Sequence, residues 1–210
     1  MDKMKVSRVL VWTLMLISMV ILGSCQASMP KNARNPEATI TMENGNKIVF
    51  EMYPDKAPNT VCNFVDLAQQ GFYDGTIFHR VIQNMMIQGG SHDGNEFIEP
   101  GYTIRGEFAD NGFDGNDISH IAGTVSMARM GNPYTNSASS GFFICDTDST
   151  TFWNGEYAAF GKVIDGMDEV LVISATETDP IDRPLKEHKI KTVTVDTFGA
   201  KYPKPEKYNP

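Results

Sequence analysis

Apolar and polar positions alternate with period two over several short runs. Ala38 to Glu43 and Lys47 to Tyr53 alternate on either side of Asn44-Gly45-Asn46, the pattern of two strands joined by a tight turn. Pro58 to Gln70 changes period: Val61, Phe64, Val65 and Ala68 fall at helical spacing, Pro58 suits a first turn and Gly71 a stop. Alternation resumes in Thr76 to Ile82, Met85 to Gln88, Gly123 to Ala128, Gly141 to Cys145, Tyr157 to Val163 and Lys189 to Val195, with a second short helix at Met167 to Ile173. Many short strands and two helices predict a mainly β chain that closes into an antiparallel barrel.

The ends of the chain read differently. Lys3, Lys5 and Arg8 precede the uncharged run Val9 to Leu22, which is short for a membrane-spanning helix and has the form of a signal peptide. The run ends in Leu22-Gly23-Ser24-Cys25, which resembles a bacterial lipobox. It predicts cleavage after residue 24 and lipid attachment at Cys25, so that the domain is anchored to a bacterial membrane outside the cytoplasm. Residues 25–37 then form a flexible tether, 38–198 the folded domain, and 199–210 a frayed Pro- and Lys-rich tail. Cys62 in a helical pattern and Cys145 at the end of FFIC are expected to be buried free thiols.

A formal net charge of -8 over 210 residues argues against a nucleic-acid partner. The histidines His79, His92, His120 and His188 have no second ligand at zinc spacing, and no phosphate loop, dinucleotide fingerprint or nucleophile elbow occurs. Asp93, Glu96, Asp110, Asp114 and Asp117 do not follow a calcium-loop pattern and are expected to be solvated. No metal or cofactor is expected. One cation is out of place: Arg80 begins the otherwise apolar stretch FHRVIQNMMIQGGS. Simple alternation puts Phe78, Arg80 and Ile82 on one face and His79 and Val81 on the other. On spacing alone, Arg80 either faces water or aims donors into an apolar groove.

FHRVI followed by MIQGG, then GTVSMA (Gly123 to Ala128), SSGFFI (Ser139 to Ile144) and NGEYAAFGKV (Asn154 to Val163), resemble in order the motifs of the cyclophilin-type peptidyl-prolyl isomerases. The match runs from about Ala38 to Val195, and the YAAFGKV and SASS forms are similar to the bacterial branch. The resemblance implies an eight-stranded antiparallel barrel capped by two helices, with the site on its outer face. It makes Arg80 the catalytic donor and Gln88 the residue that holds the substrate backbone. It puts Met85, Met86, Phe143 and Trp153 around the proline ring, with Phe152 and Tyr157 beside them. Ala128, Arg129 and Met130 form the edge that meets the peptide, and Phe78 joins the substrate-contacting set.

The implied partners are proline-containing peptides and unfolded exported proteins, bound by a monomer. Four positions depart from the family pattern: Met85 for phenylalanine, Gly141 for glutamine, Phe152 for the tryptophan of cyclosporin-sensitive members, and Tyr157 for histidine. Gly141 and Met85 keep a second reading open, a proline-peptide-binding chaperone module with little or no catalysis.

Overall fold

The computed structural model describes residues 29–30, 33–92, 94 and 99–208. Cys25 and the apolar run before it lie outside the described residues. The strands are β1 (Glu37–Met42), β2 (Lys47–Met52), β3 (Ile77–Ile82), β4 (Met86–Ser91), β5 (Thr124–Met127), β6 (Phe142–Cys145), β7 (Ala159–Asp165) and β8 (Ile190–Asp196). Among the described residues, two helices, α1 (Pro58–Gln69) and α2 (Met167–Ser174), and short 3-10 turns at Ala109–Asn111 and Asp148–Trp153 complete the order.

All eight strands join one sheet in the order β3-β4-β6-β5-β7-β2-β1-β8, and every pairing is antiparallel. The sheet curls until its end strands meet, but no continuous ladder closes it. Ile77 of β3 meets Lys189, the residue before β8, at an isolated bridge, supported by Phe78 N donating to His188 O at 3.0 Å and Ile190 N to Thr76 O at 2.8 Å. Beyond Phe78 the edge of β3 is taken by a loop instead: Val81 N donates to Asp182 O at 2.8 Å. The fold is therefore a curled, incompletely closed half-barrel rather than the closed barrel expected from the strand count. The 175–189 segment, and not β8, covers the open edge.

The concave side holds the main core. Phe64 of α1 lies at its centre, with ring centroids 5.3 Å from Phe50, 4.8 Å from Tyr73, 5.7 Å from Phe142 and 5.5 Å from Phe160. These rings are each 0 % exposed, so this one group of five aromatic side chains fixes α1 against the sheet. Ala57 supplies no side-chain cap to α1. The orphan N–H groups go to Glu107 from a distant loop: Asn59 N donates to Oε1 at 2.9 Å and Thr60 N to Oε2 at 2.8 Å. A carboxylate is favourable there because the helix N-terminus carries partial positive charge. The helix stops at Gly71, whose φ of +70° permits Phe72 N to reach back to Leu67 O at 3.0 Å.

The described residues that flank the sheet at either end, 33–36 and 199–208, are docked on the domain. Pro36 O accepts from Met52 N at 2.9 Å, and the Arg34 guanidinium lies 3.8 Å over the Phe198 ring, so the last residues of the expected tether are docked. The tail is not frayed over its described length. Lys204 pairs with Asp66, Glu206 N donates to Asn59 Oδ1 at 2.7 Å, and Tyr208 bridges Thr103. Lys204, one of the tail lysines, is what ties it by charge to α1. Cys62 and Cys145 are buried free thiols, and burial pushes them up to about 12 and about 11.

Candidate active site

The site begins with a defect in β3. Phe78 pairs with Gly89 and Arg80 pairs with Gln88, so His79 is an extra residue on β3. A one-residue bulge changes the parity of a strand. Phe78 and Val81 consequently point into the core, each 1 % exposed, while Arg80 turns outward. The sequence reading that placed Phe78 and Arg80 on one face is corrected by this bulge. Phe78 packs edge-on against Phe142 at 6.1 Å in the main core and is not part of the cleft lining.

β4 runs through Gly89 and Gly90 to Ser91, three residues beyond its expected end at Gln88. Gly90 has φ +99°, and a Cβ there would lie 2.5 Å from the Ser140 carbonyl oxygen, so β4 can approach this segment only with glycine. That approach sets β6 beside β4, with Gln88 opposite Phe143 and Met86 opposite Cys145. Arg80, Gln88 and Phe143 thus lie in one row across three strands.

A second apolar cluster occupies the outer face of this row: Met86, Ala128, Phe143 and Cys145, with Ile82, Met85, Trp153 and Tyr157 packed against it. Adjacent Phe142 and Phe143 divide between the two sides, Phe142 in the main core and Phe143 in this cluster. Phe143 meets Trp153 at 5.0 Å and Tyr157 at 5.5 Å, both edge-on. Behind it, His120 is fully buried and parallel to the Phe143 ring. His120 Nε2 lies 3.0 Å from Ser126 Oγ and Nδ1 3.3 Å from Asn154 Oδ1. Burial lowers the imidazole to about 4, so it is a neutral support at pH 7.

Above the cluster opens a cleft of about 270 Å³. Its apolar floor is Met86, Phe143 and Trp153, with Ala128 and Tyr157 on one wall; Arg80, Gln88 and Arg129 supply its polar edge. Arg129 is held rather than free: Nε donates to Glu156 O and Nη1 to Met130 O, both at 2.9 Å, while the guanidinium lies 4.6 Å from the Tyr157 ring. Arg80 is the accessible cation, its side chain 45% exposed.

The remaining expected contacts sit elsewhere. Met85 packs half-buried against the cluster, outside the cleft lining. Phe152 is 56% exposed and lies against Trp153 at 5.0 Å, so Trp153 and not Phe152 faces the cleft. Met130 is 39% exposed at the far end of the Arg129 edge. Two cleft residues, His79 and Gly94, were not anticipated: the bulge brings His79 around, and no periodic signal marks a bulge. Among the described residues no three His, Cys, Asp or Glu side chains group as metal ligands, and Asp117 pairs with Lys56 at 2.7 Å.

The cleft thus joins an apolar floor wide enough for a small ring to guanidinium and amide donors along one edge. Residues 38–195 match the family model of the cyclophilin type peptidyl-prolyl cis-trans isomerase/CLD. The chain belongs to this family and is a peptidyl-prolyl cis-trans isomerase. It is 45% identical over 127 residues to peptidyl-prolyl cis-trans isomerase B of Bacillus subtilis, covering 60% of this chain and 82% of the relative. It is 39% identical over 171 residues to peptidyl-prolyl cis-trans isomerase B of Escherichia coli, covering 72% and 95%. A solved cyclophilin type isomerase of Cryptosporidium parvum superposes with TM-score 0.66 at 28% identity, over 77% of this chain and 98% of that one. A second structure of that protein, in the presence of the dipeptide Ala-Pro, gives TM-score 0.65.

Proposed function

We propose that the protein turns Xaa-Pro bonds in exported polypeptides while tethered by Cys25 to a bacterial membrane outside the cytoplasm, with Arg80 as the catalytic donor. An Xaa-Pro amide resists rotation by about 18–20 kcal/mol because its C–N bond has double-bond character, and it turns in about 10–100 s unaided. At the twisted geometry conjugation is lost and the prolyl nitrogen becomes a pyramidal acceptor. A donor fixed where that lone pair appears binds the twisted state more tightly than the planar one. Arginine suits this role because it is always charged and its N–H groups form a rigid fork.

The observation that carries the reading is the row Arg80, Gln88, Phe143 across β3, β4 and β6. The proline ring rests on Phe143 between Met86 and Trp153, Gln88 holds the peptide backbone, and Arg80 reaches the nitrogen from the rim. Ala128, Arg129 and Met130 guide the residues before proline. The Ala-Pro dipeptide present with the Cryptosporidium relative supports a proline-containing ligand here. The protein acts as a monomer and needs no cofactor.

The test is cis-to-trans conversion of a short Ala-Pro peptide. Arg80→Ala is expected to lower kcat/KM by about 10²–10³-fold, the usual effect of removing one transition-state donor. Arg80→Lys keeps the charge but loses the fork and should recover little. An Arg80→Ala variant as fast as wild type sinks the arginine mechanism. The tether is tested separately: the protein should take up a labelled fatty acid in bacterial cells and Cys25→Ala should not.

A further inference from the structure

Arg80 has a partner that the reaction scheme does not include. Its Nε and Nη2 both donate to Oδ2 of Asp182, at 3.2 and 3.1 Å. Asp182 is 102 residues away in sequence and belongs to the loop that covers the open edge of β3. The loop is shaped to bring it there. Thr178 and Pro184 form a bridge at its base. Asp179 N donates to Arg183 O at 2.8 Å, and Asp179 Oδ1 accepts from Ile181 N at 3.0 Å and Arg183 N at 2.9 Å. These bonds make a tight turn whose apex residue, Asp182, adopts φ +65°. That conformation is uncommon for a residue with a Cβ, and Asp tolerates it better than most.

The same residue is fastened to β3 twice. Its carbonyl accepts from Val81 N at 2.8 Å, the amide directly after Arg80, and its carboxylate takes the Arg80 side chain. A guanidinium has five N–H groups. The carboxylate occupies one on Nε and one on Nη2, which leaves the two on Nη1 and one on Nη2 for a ligand. A long side chain that is 45% exposed would otherwise sample many rotamers, and a donor gains catalytic force only when its orientation is set beforehand.

We propose that Asp182 is a positioning residue of this isomerase: it clamps the Nε/Nη2 edge of Arg80 so that the remaining guanidinium donors face the bound Xaa-Pro amide. The proposal rests on the arginine mechanism above. Both partners are substantially exposed, so the ion pair adds little to stability, and a catalytic effect is separable from unfolding.

The experiment measures kcat and KM for an Ala-Pro peptide with the full-length protein and four variants. Asp182→Gly removes the carboxylate without penalty at positive φ, Asp182→Asn removes only the charge, Asp182→Glu restores a carboxylate, and Arg80→Ala is the control. Asp182→Gly is expected to lower kcat about tenfold or more with KM within about twofold. Asp182→Asn should be intermediate and Asp182→Glu should regain part of the loss. The ¹⁵N–¹H signal of Arg80 Nε should broaden in Asp182→Gly while the thermal midpoint stays nearly constant. Unchanged kcat in Asp182→Gly and Asp182→Asn, with Arg80→Ala inactive, overturns this proposal and leaves the arginine mechanism standing. A rise in kcat overturns it too, since Asp182 would then compete with substrate for the guanidinium. Wild-type rates in Arg80→Ala overturn the mechanism on which the proposal depends.

Discussion

The imidazole of His120 lies parallel to the ring of Phe143, with centroids 6.0 Å apart and an interplanar angle of 19°. The floor of the cleft is therefore backed by a buried titratable group. Held to about 4 by burial, it stays neutral in the folded protein, whereas in the unfolded chain it takes a proton near its ordinary 6.5.

The unfolded state binds more protons than the folded one between those two values. The contribution of His120 is full above about pH 6.5 and is lost as pH falls toward 4, by at most about 3 kcal/mol. His188, lowered by burial and by Lys186, adds a slope of the same sign. Glu107, raised by burial, has the opposite sign and favours the fold as pH falls. Comparison with His120→Gln isolates the imidazole. Denaturant midpoints from pH 4.5 to 7.5 should rise more steeply with pH in the wild type than in the variant, and parallel curves would contradict the assignment.

Gly90→Ala tests the approach of β4 to the Ser139–Gly141 segment. The new methyl would meet the Ser140 carbonyl oxygen at 2.5 Å on a backbone already at φ +99°. Two backbone segments must separate, which should cost about 2 kcal/mol or more. Activity should fall with stability, because Gln88 and Phe143 face each other across the β4–β6 pairing beside this point. Urea denaturation and peptide kinetics on the same sample check both.

Gly141→Gln tests the position where the family pattern has glutamine. Gly141 lies directly before β6, and its carbonyl already anchors Ala128 N at 2.9 Å. A glutamine amide that bonds the peptide backbone should lower KM by about three- to tenfold, the worth of one ordinary hydrogen bond. An unchanged KM would mean that the groove already satisfies the peptide without it.

Phe152 bears on cyclosporin. The ring has no N–H to donate, and it lies exposed against Trp153 outside the cleft lining. Titration calorimetry should find weak cyclosporin binding to the wild type and about three- to tenfold tighter binding to Phe152→Trp. A tight wild-type complex would refute the role assigned to the missing indole.

Much of this architecture was legible in the residues. The eight strands and two helices fall within a few residues of their expected positions, because period-two and helical spacing report directly which side of each element is buried. The motif set led to Arg80, Gln88, Met86, Ala128, Arg129, Phe143, Trp153 and Tyr157, all of which border one cleft. Alternation puts Phe78 on the face of Arg80 because it assumes an unbroken ladder, and the extra residue His79 breaks it. Phe152 and Trp153 are adjacent in a 3-10 turn, where period-two reasoning gives no guidance on which ring turns inward.

By itself the sequence determined the mainly β class, the alternation that separates Phe142 from Phe143, and the residues available for chemistry, since these depend on local periodicity and residue type. Only the tertiary structure decided how the sheet ends. β3 lends its edge to the Asp182 loop rather than to β8, and the α1 N-terminus takes its cap from Glu107, 47 residues from Thr60. The Asp182–Arg80 pair belongs with these. The reason is physical: unsatisfied edges, helix ends and long charged side chains are completed by whichever group the folded chain brings near, and that group need have no relation to its neighbours in sequence.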